Sequence, residues 1–296
     1  MDQQLQIFIT VAEKKSFSQA AKEHHMTQPA VSQYIRQFED QFGTRLLERS
    51  NKYVRLTKAG EIVFHHGKEI LALYGKMQNL CDDLLNQASG TLSIGASYTF
   101  GEYVLPRILS NLKRTYPTIL PAVTIGNTKT IADLVASHQL DIGIVEGQFE
   151  QVKLIKEELA EDEMVVVAPP NHPFAKRAIP LKANELEQEM WIKREIGSGT
   201  REAMEQFFER FNISPKQTMS FSSTQPIKES VEAGLGISLL STWAIQKEVR
   251  NGDLCILSVE GLPFLRKFSI ITSTPFQTKA LEVFIDLLRT RAFLRH

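Results

Sequence analysis

Residues 16–39 read SFSQAAKEHHMTQPAVSQYIRQFE and contain two short helical patterns separated by a turn. Ala20 and Ala21 lie in the first pattern, and their small side chains allow a second helix to cross closely. Thr27 is a favourable N-cap for the second pattern. Pro29 follows just inside that helix, where a missing N–H costs nothing. This stretch predicts a helix-turn-helix.

The second helix of this stretch has one apolar face and one polar face. Its apolar stripe consists of Val31, Ile35 and Phe38. Its exposed polar positions are expected to be Gln28, Ser32, Gln33 and Arg36. Gln pairs with adenine, Arg with guanine or phosphate, and Ser with either a base or a phosphate. The pattern therefore favours a DNA-reading helix; the alternative is the solvated face of a generic helical bundle.

The residues around this stretch complete a small basic domain. Apolar residues recur at helical spacing from Leu5 to Ala12, and Gly43 ends the reading helix. Residues 48–57 read ERSNKYVRLT, whose β-branched and aromatic residues around a polar centre predict a short hairpin. Nine Lys and Arg against six Asp and Glu give residues 1–60 a net charge of +3. A basic head on a slightly acidic body is consistent with DNA binding.

The overall composition is that of a globular protein with several cores. The chain has 296 residues, of which 43% are hydrophobic and 23% charged, and its net charge is zero. A uniformly basic nucleic-acid binder is therefore excluded, while one basic domain is not. The two cysteines, Cys81 and Cys255, make no CxxC, which argues against a disulfide scaffold or a thiolate zinc site. We find no signal peptide and no run of about 18 apolar residues, so we expect a cytoplasmic location and no membrane partner.

A proline-free stretch from Lys58 to about Ala88 predicts one long helix. Its apolar residues step by three and four as an a/d seam, which comprises Ile70, Leu73, Met77, Leu80 and Leu84. Such a seam without a globular partner nearby in the sequence is typically buried against a second copy of the chain. The seam predicts a homodimer; the alternative is an ordinary core helix.

Strand and helix patterns alternate after Gly90. Residues 91–147 contain three apolar strands with two amphipathic helices between them, which argues for parallel βαβ units. A second group begins near Met164 and includes a helix from Ser198 to Arg210. Parallel sheets of this kind bind ligands beyond the carboxyl ends of their strands and at helix N-termini.

Three segments meet that criterion for a ligand site. Ser97 and Thr99 follow the first strand, and Thr128 follows the second. The third segment, residues 197–201 (GSGTR), contributes Ser198, Thr200 and Arg201. Glycines permit close backbone approach, hydroxyls donate hydrogen bonds and Arg supplies a permanent charge, so this segment suits a carboxylate, phosphate or sulfate. The alternative is that these residues simply cap helices. The adjacent histidine pairs point about 100° apart on a helix, so we expect surface positions or minor DNA contacts for them rather than a metal site. Apart from the small anionic effector we expect no cofactor.

The chain resembles LysR-type transcriptional regulators along its full length. The matching positions of the head are Phe8, Ala12, Ser16, Phe17, Ala20, Ala21, Gln28, Pro29, Ala30, Val31, Ser32, Ile35, Glu39, Gly43, Leu46, Leu47, Arg49, Leu56, Thr57, Ala59 and Gly60. This resemblance implies an α plus α/β fold. The helical part would consist of a winged helix-turn-helix at 1–58 and a dimerising linker helix at 59–89, and the α/β part would be an effector domain at 90–296. The effector domain would resemble periplasmic binding proteins, with subdomain I at about 90–162 plus 267–296 and subdomain II at about 163–266.

The resemblance also implies partners and site residues. Such regulators bind pseudo-palindromic operator DNA and respond to a small molecule, usually as a dimer of dimers that can contact RNA polymerase. The implied DNA-binding residues are Ser16, Ser18, Thr27, Gln28, Pro29, Ser32, Gln33, Arg36, Arg49, Lys52 and Arg55. The family's effector-binding hydroxyls fall at Thr99, Thr128 and Thr200. Residues 194–201 (REIGSGTR) are similar to regulators of sulfur assimilation and carbon fixation, which favours a small anion.

A second hypothesis assigns the function to the α/β body. The protein would then be a small-molecule binding protein or an enzyme, with the helical head as an oligomerisation module. We find no HExxH, P-loop or GxSxG motif to support catalysis. Salt-dependent DNA binding would discriminate the two hypotheses.

Overall fold

The computed structural model describes residues 2–50, 53–83, 89–149, 154–275 and 277–290. The chain divides into two compact units, Met1–Cys81 and Asp82–His296. Lys52 and Leu84, named above as DNA-binding and dimerisation residues, lie outside the described residues. No helix among the described residues has the length and apolar character needed to span a bilayer.

The first unit is a winged helix-turn-helix followed by a long helix, as predicted. Its elements are α1 (Asp2–Lys14), α2 (Phe17–Glu23), α3 (Gln28–Phe42), β1 (Leu47–Arg49), β2 (Val54–Leu56) and α4 (Lys58–Asp83). The Thr27 hydroxyl accepts from the backbone N–H of Ala30 at 3.4 Å, and Gly43 ends α3 with a φ of 65°. Strands β1 and β2 pair antiparallel and form the wing. The caps and the hairpin are therefore confirmed.

Helix α4 has two different sides. Val63, Phe64 and Leu71 pack against the core of the head. A side chain at Gly67 would meet Leu5 of α1, so this glycine lets the two helices approach. The seam lies on another side, and its described members stay exposed or half-buried.

The second unit alternates strands and helices around one mixed sheet. Its elements are β3 (Gly90–Ser97), α5 (Tyr98–Tyr103), α6 (Leu105–Thr115), β4 (Ile119–Gly126), α7 (Thr128–Ala136), β5 (Ile142–Glu146), β6 (Ile155–Ala168), a 3-10 helix (Ala183–Leu186), β7 (Met190–Arg194), α8 (Gly199–Arg210), β8 (Gln217–Phe221), α9 (Thr224–Glu232), β9 (Ser238–Ser241), α10 (Thr242–Asn251), β10 (Cys255–Ile256), β11 (Phe264–Thr272) and α11 (Lys279–Arg289). The strand order is β10-β6-β11-β5-β3-β4, and β9 also pairs with β6.

The predicted parallel βαβ units are confirmed for β3, β4 and β5, which pair parallel to one another. The other strands of this sheet differ from that pattern. Strand β11 pairs antiparallel with both β5 and β6, and β9 and β10 pair antiparallel with β6. Strands β7 and β8 form a separate parallel pair. The sheet is therefore mixed, with a parallel part formed by β3, β4 and β5 and an antiparallel part around β6 and β11.

Two predicted elements differ from the structure in their limits. Strand β6 begins at Ile155 rather than near Met164, because pairing with β11 overrides the weak strand propensity of its Glu-rich first half. The single helix expected after β3 is split at Val104 into α5 and α6. Pro106 stands in the first turn of α6, and its missing N–H and its ring prevent α5 from continuing through it.

The sheet connects two hydrophobic cores, which we call the first and second lobes. Buried residues of β3, β5, α6 and α11 form the first core, and buried residues of β7, α8 and β9 form the second. Strand β6 contributes Leu159 and Ala160 to the first core and Met164 and Val166 to the second. Strands β6 and β11 thus pass through both lobes, and the expected subdomain limits at 162/163 and 266/267 fall inside them.

Candidate DNA-binding and effector sites

The polar face of α3 is accessible. Thr27, Gln28, Pro29, Gln33 and Arg36 are exposed and Ser32 is half-buried. The side-chain amide of Gln28 donates to the Ser32 hydroxyl at 3.1 Å, which orders two potential base contacts relative to one another. The opposite face, with Val31, Ile35 and Phe38, is buried. One face therefore packs while the other is free to enter a major groove.

The start of α2 offers a second surface for DNA. Ser16 is its N-cap and accepts from the backbone N–H of Gln19 at 3.2 Å, while Ser18 is exposed in the first turn. A hydroxyl that accepts in a cap keeps its own hydrogen to donate. Helix N-termini hold phosphate groups through such donors and free backbone N–H groups.

The two described basic residues of the wing differ in their surroundings. Arg49 is exposed, with its guanidinium 5.6 Å from the centre of the Phe17 ring. Arg55 donates from Nε to Glu48 at 2.6 Å, and this hydrogen bond raises the pKa of Arg55 above its ordinary value. Because Glu48 compensates the charge of Arg55, Arg49 is the stronger candidate for a phosphate contact.

Glu39, one of the positions that carry the family resemblance, connects the wing to α3. Its Oε1 accepts from the backbone N–H groups of Leu46 at 2.8 Å and Leu47 at 3.1 Å. An acidic residue in the last turn of a helix is unfavourable for the helix dipole. That unfavourable position is the sequence signal that could have indicated a local acceptor role.

Four of the six predicted effector-binding residues converge in the second unit. Ser97, Thr99, Thr128 and Thr200 are all buried there, and we call them the hydroxyl cluster. Buried hydroxyls require hydrogen-bond partners. Their partners come from one buried arginine and one buried glutamate, neither of which was predicted.

Arg266 is the cation of this cluster. It is buried, and its two Nη atoms donate to Thr200 Oγ1 and Thr99 Oγ1 at 3.1 Å each. Its Nε donates to Asp162 Oδ2 at 2.7 Å. A guanidinium with several donors in a fixed plane is well suited to a carboxylate or a phosphate. Arg266 stands on an antiparallel strand far along the chain, so no local pattern could have associated it with the hydroxyls.

Glu146 is the acid of the same cluster. The Ser97 hydroxyl donates to its Oε2, and Arg266 Nη1 lies 3.5 Å from its Oε1. Thr128 donates to its backbone carbonyl at 2.7 Å. Asp162 also contributes a carboxylate and accepts from Ser241 at 2.6 Å. The buried cluster therefore contains two carboxylates and one guanidinium.

Arg201, predicted as a cation for the ligand, makes its hydrogen bonds outside the hydroxyl cluster. Its Nε donates to Glu205 at 2.7 Å and its Nη1 to the Arg194 carbonyl at 3.3 Å, because α8 turns this side chain outward. It lines a cavity of about 550 Å³ together with Lys129, Ile196 and Ser198. The six predicted residues are thus divided between a buried cluster and an adjoining open cavity.

The glycines at the start of α8 allow close approach of the chain itself. A Cβ at Gly199 would lie 2.2 Å from the carbonyl oxygen of Glu146. Strand β5 of the first lobe therefore touches the start of α8 of the second lobe. At Gly199 the group that approaches closely is the backbone of the other lobe.

A second interlobe contact involves Arg194, for which the sequence carried no local signal. Arg194 is buried, donates to both carboxylate oxygens of Glu195 at 2.8 and 2.9 Å, and lies 4.3 Å from the centre of the Tyr98 ring. Asn127 Nδ2 donates to Glu195 at 3.1 Å. Tyr98 and Asn127 belong to the first lobe and Arg194 to the second, so this contact holds the lobes together beside the hydroxyl cluster.

One group among the described residues has a spacing compatible with a metal ion: His65, His66 and Glu69 on α4. Glu69 lies one turn further along α4, and its carboxylate reaches both imidazoles. Both histidines are exposed, and each pairs with the Glu69 carboxylate. These two contacts with Glu69 explain why the three side chains lie close together.

Comparison with known proteins identifies the family. Residues 3–61 match the model described as bacterial regulatory helix-turn-helix protein, lysR family, and residues 85–293 match the LysR substrate binding domain. The chain belongs to the LysR family. The predicted fold class, an N-terminal helix-turn-helix with a C-terminal α/β effector domain, is confirmed.

Two LysR-family relatives match over nearly the whole chain. The HTH-type transcriptional regulator CysL of Bacillus subtilis is 37% identical over 287 residues, which are 97% of this chain and 96% of the relative. The RuBisCO operon transcriptional regulator of Allochromatium vinosum is 34% identical over 269 residues, or 90% and 88% of the two chains. Since these relatives are transcriptional regulators, this LysR-family chain is a regulator rather than an enzyme. The second hypothesis, with the function in the α/β body alone, is wrong.

A solved structure covers the effector domain. The CcmR regulatory domain of Synechocystis PCC6803 in complex with 2-PG superposes with a TM-score of 0.64 at 27% identity, covering 69% of this chain and 97% of that one. Effector domains of the LysR family thus bind small molecules.

Proposed function

We propose that this LysR-family regulator binds a small anion in its effector domain, at the cluster of Arg266, Thr99 and Thr200. One observation carries the proposal: a buried guanidinium donates to two hydroxyls that stand at the carboxyl end of β3 and at the start of α8. Each hydroxyl accepts from Arg266 and keeps its own hydrogen for a ligand oxygen. The 2-PG bound by the CcmR domain supports an anion as the ligand class.

The adjoining cavity extends this site. Ser198 and Thr200 flank Gly199, so the cavity lined by Ser198 and Arg201 begins beside the buried cluster. Lys129 of the first lobe and Arg201 of the second face this cavity. A ligand with its acid group at Arg266 would place the rest of its structure here, between the two lobes.

DNA recognition is assigned to the head. The exposed face of α3 reads bases in the major groove, while Ser16, Ser18 and Arg49 hold phosphates. The operator is pseudo-palindromic because two copies of the chain associate through the seam of α4. Three apolar residues of the seam are exposed, with relative accessibilities of 59% for Ile70, 52% for Leu73 and 51% for Met77. Such an exposed apolar stripe favours packing against the same helix of a second copy. In the proposed mode of action, two dimers associate on the operator and contact RNA polymerase. This takes place in the cytoplasm.

Capture of genomic DNA tests the DNA part. Fragmented DNA of the source organism is incubated with the purified protein, with and without candidate anions, and the retained fragments are sequenced. We expect enrichment of a few promoter fragments with a two-fold symmetric site. Retention of DNA without any sequence preference under all conditions would contradict the proposal.

Calorimetric titration of the full chain tests the anion part. The probes are inorganic phosphate, inorganic sulfate and 2-PG. We expect Thr200→Val to weaken anion binding by about tenfold or more, since it removes a hydrogen bond to a charged group. The control is Thr115→Val, at an exposed threonine of α6. Equal affinities of Thr200→Val and the wild type would place the anion elsewhere.

A further inference from the structure

Glu146 stands where the acid group of the proposed anion would be expected. Its side chain is 2% exposed and belongs to the last residue of β5. Its carboxylate accepts from Ser97, and its Oε1 lies 3.5 Å from Nη1 of Arg266. Both partners are groups that a carboxylate or a phosphate ligand would use. The effector domain thus already has an anion on its own anion-binding groups.

The second acid of the cluster has a different position. Asp162 binds Nε of Arg266 and the Ser241 hydroxyl, and it faces Arg266 directly across the β6–β11 ladder. Its hydrogen bonds thus fix the guanidinium from the side of the paired strands. Glu146 by contrast approaches Nη1, the same atom that donates to Thr200. Of these two carboxylates, Glu146 is therefore the one on the side of the hydroxyl cluster.

Charge makes joint occupancy unfavourable. Glu146 and Asp162 together already exceed the single positive charge of Arg266, so an added anion would bring a further negative charge into a buried site. Like charges a few ångströms apart in such a site repel strongly. A bound anion and the Glu146 carboxylate therefore exclude one another on Arg266.

We infer that Glu146 is an internal competitor, which occupies the anion position until an effector displaces it. This inference rests on the proposed function, because it concerns the same Arg266 site. A tethered carboxylate is always present at high effective concentration. An effector must therefore bind better than a single carboxylate, which selects anions of higher charge and more acceptor oxygens, such as phosphate esters, over simple monocarboxylates.

The displacement of Glu146 would be transmitted to the second lobe. Its carbonyl oxygen lies so close to Gly199 that a Cβ there would meet it at 2.2 Å. The backbone N–H of Gln148, two residues on, donates to Glu202 of α8 at 2.7 Å. A change at the end of β5 therefore alters the contacts with α8, and the competitor links anion binding to the arrangement of the lobes.

Titration of three full-length proteins with inorganic phosphate, sulfate and 2-PG tests this inference. Glu146→Gln keeps the shape of the side chain and removes its charge, so we expect anion affinity to increase about tenfold or more. Asp162→Asn also removes one negative charge beside the guanidinium, but it weakens the hydrogen bond that holds Nε of Arg266 in place. We therefore expect unchanged or weaker anion binding by this variant. Thermal unfolding of each variant checks that it is folded. If Glu146→Gln does not fold, Glu146→Asp replaces it, since the shorter side chain withdraws from Arg266 and is expected to tighten binding more modestly.

The possible outcomes separate the two proposals. Tighter binding by the Glu146 variant together with unchanged or weaker binding by Asp162→Asn supports the competitor. Equal tightening by both variants would show a general charge effect and overturn it. Wild-type binding that Glu146→Gln leaves unchanged or weakens would overturn the competitor while the anion site stands. An absence of binding for every probe and every protein would overturn the anion site itself, and the competitor with it.

Discussion

Arg266 and Asp162 are joined twice: they are direct partners in the β6–β11 ladder, and Nε of Arg266 donates to Oδ2 of Asp162 at 2.7 Å. Strands β6 and β11 pass through both lobes, so this ion pair lies where the lobes meet. The same guanidinium reaches Thr99 of the first lobe and Thr200 of the second. The residue proposed to bind the effector is thus fixed at the junction that an effector would have to influence.

Replacing Arg266 should destabilise the second unit. Arg266→Gln leaves Asp162 and Glu146 buried without their cation, which typically costs about 3–5 kcal/mol of unfolding free energy. Urea unfolding followed by tryptophan fluorescence measures this loss, because Trp191 and Trp243 both belong to the second unit. The control Arg289→Gln breaks an exposed pair with Glu157 and should cost about 1 kcal/mol or less. Similar losses for both variants would contradict the role of Arg266.

Arg36 should contribute to sequence recognition. If it reads a base, Arg36→Ala loses about 1–3 kcal/mol of operator binding and little binding to random DNA. Fluorescence anisotropy with both DNAs at one salt concentration gives the two losses. Arg114→Ala, an exposed arginine of the second unit, is the control. Equal losses on operator and random DNA would instead assign Arg36 to a phosphate.

Glu39 should hold the wing in place. Glu39→Gln weakens two hydrogen bonds to the backbone of Leu46 and Leu47, and hydrogen bonds to charged groups contribute about 1.5–3 kcal/mol each. We expect protection of the Leu46 and Leu47 amides from hydrogen exchange to fall, with the helices of the head retaining theirs. Asp40→Asn, at an exposed neighbour on α3, serves as the control. Unchanged exchange at both amides would show that Glu39 does not position the wing.

The seam of α4 should control self-association. Leu73→Asp places a charge at the centre of the exposed apolar seam and should convert dimers into monomers at micromolar concentration. Sedimentation velocity measures the change in mass. Ile179 is even more exposed, at 70% against 52% for Leu73, but lies outside the seam, so Ile179→Asp should leave the mass unchanged. A dimer that survives Leu73→Asp would require another interface.

The two free thiols should differ in reactivity. Cys81 is exposed, whereas Cys255 is half-buried, and burial raises the pKa of Cys255 above its ordinary value. A higher pKa lowers the thiolate fraction at a given pH, so Cys255 should react more slowly than Cys81 with iodoacetamide at pH 8. Its rate should continue to rise with pH beyond the range of an ordinary thiol. In Cys81→Ser the fast phase should be missing; a remaining fast phase would contradict the assignment.

The elements of the head could be predicted from the sequence because their signals are local. Thr27 and Gly43 mark the ends of α3 through hydrogen bonds and backbone angles that involve only a few neighbouring residues. The prediction that a strand begins near Met164 was wrong because the true start depends on a contact distant in sequence. Nothing within Ile155–Glu163 indicates a strand, and only its partner β11 makes it one.

Consecutive residues were enough to predict the family, the helix-turn-helix, the long helix and the hydroxyls at the end of β3 and at the starts of α7 and α8. Periodicity, capping and strand ends are short-range properties, so they can be read from consecutive residues. Which charged side chains contact those hydroxyls depends instead on long-range strand pairing. Thr99 and Arg266 are 167 positions apart and come together because β11 enters the sheet beside β5. Sheet order, which no local pattern encodes, therefore brought Arg266 to these hydroxyls and placed Glu146 beside the same guanidinium.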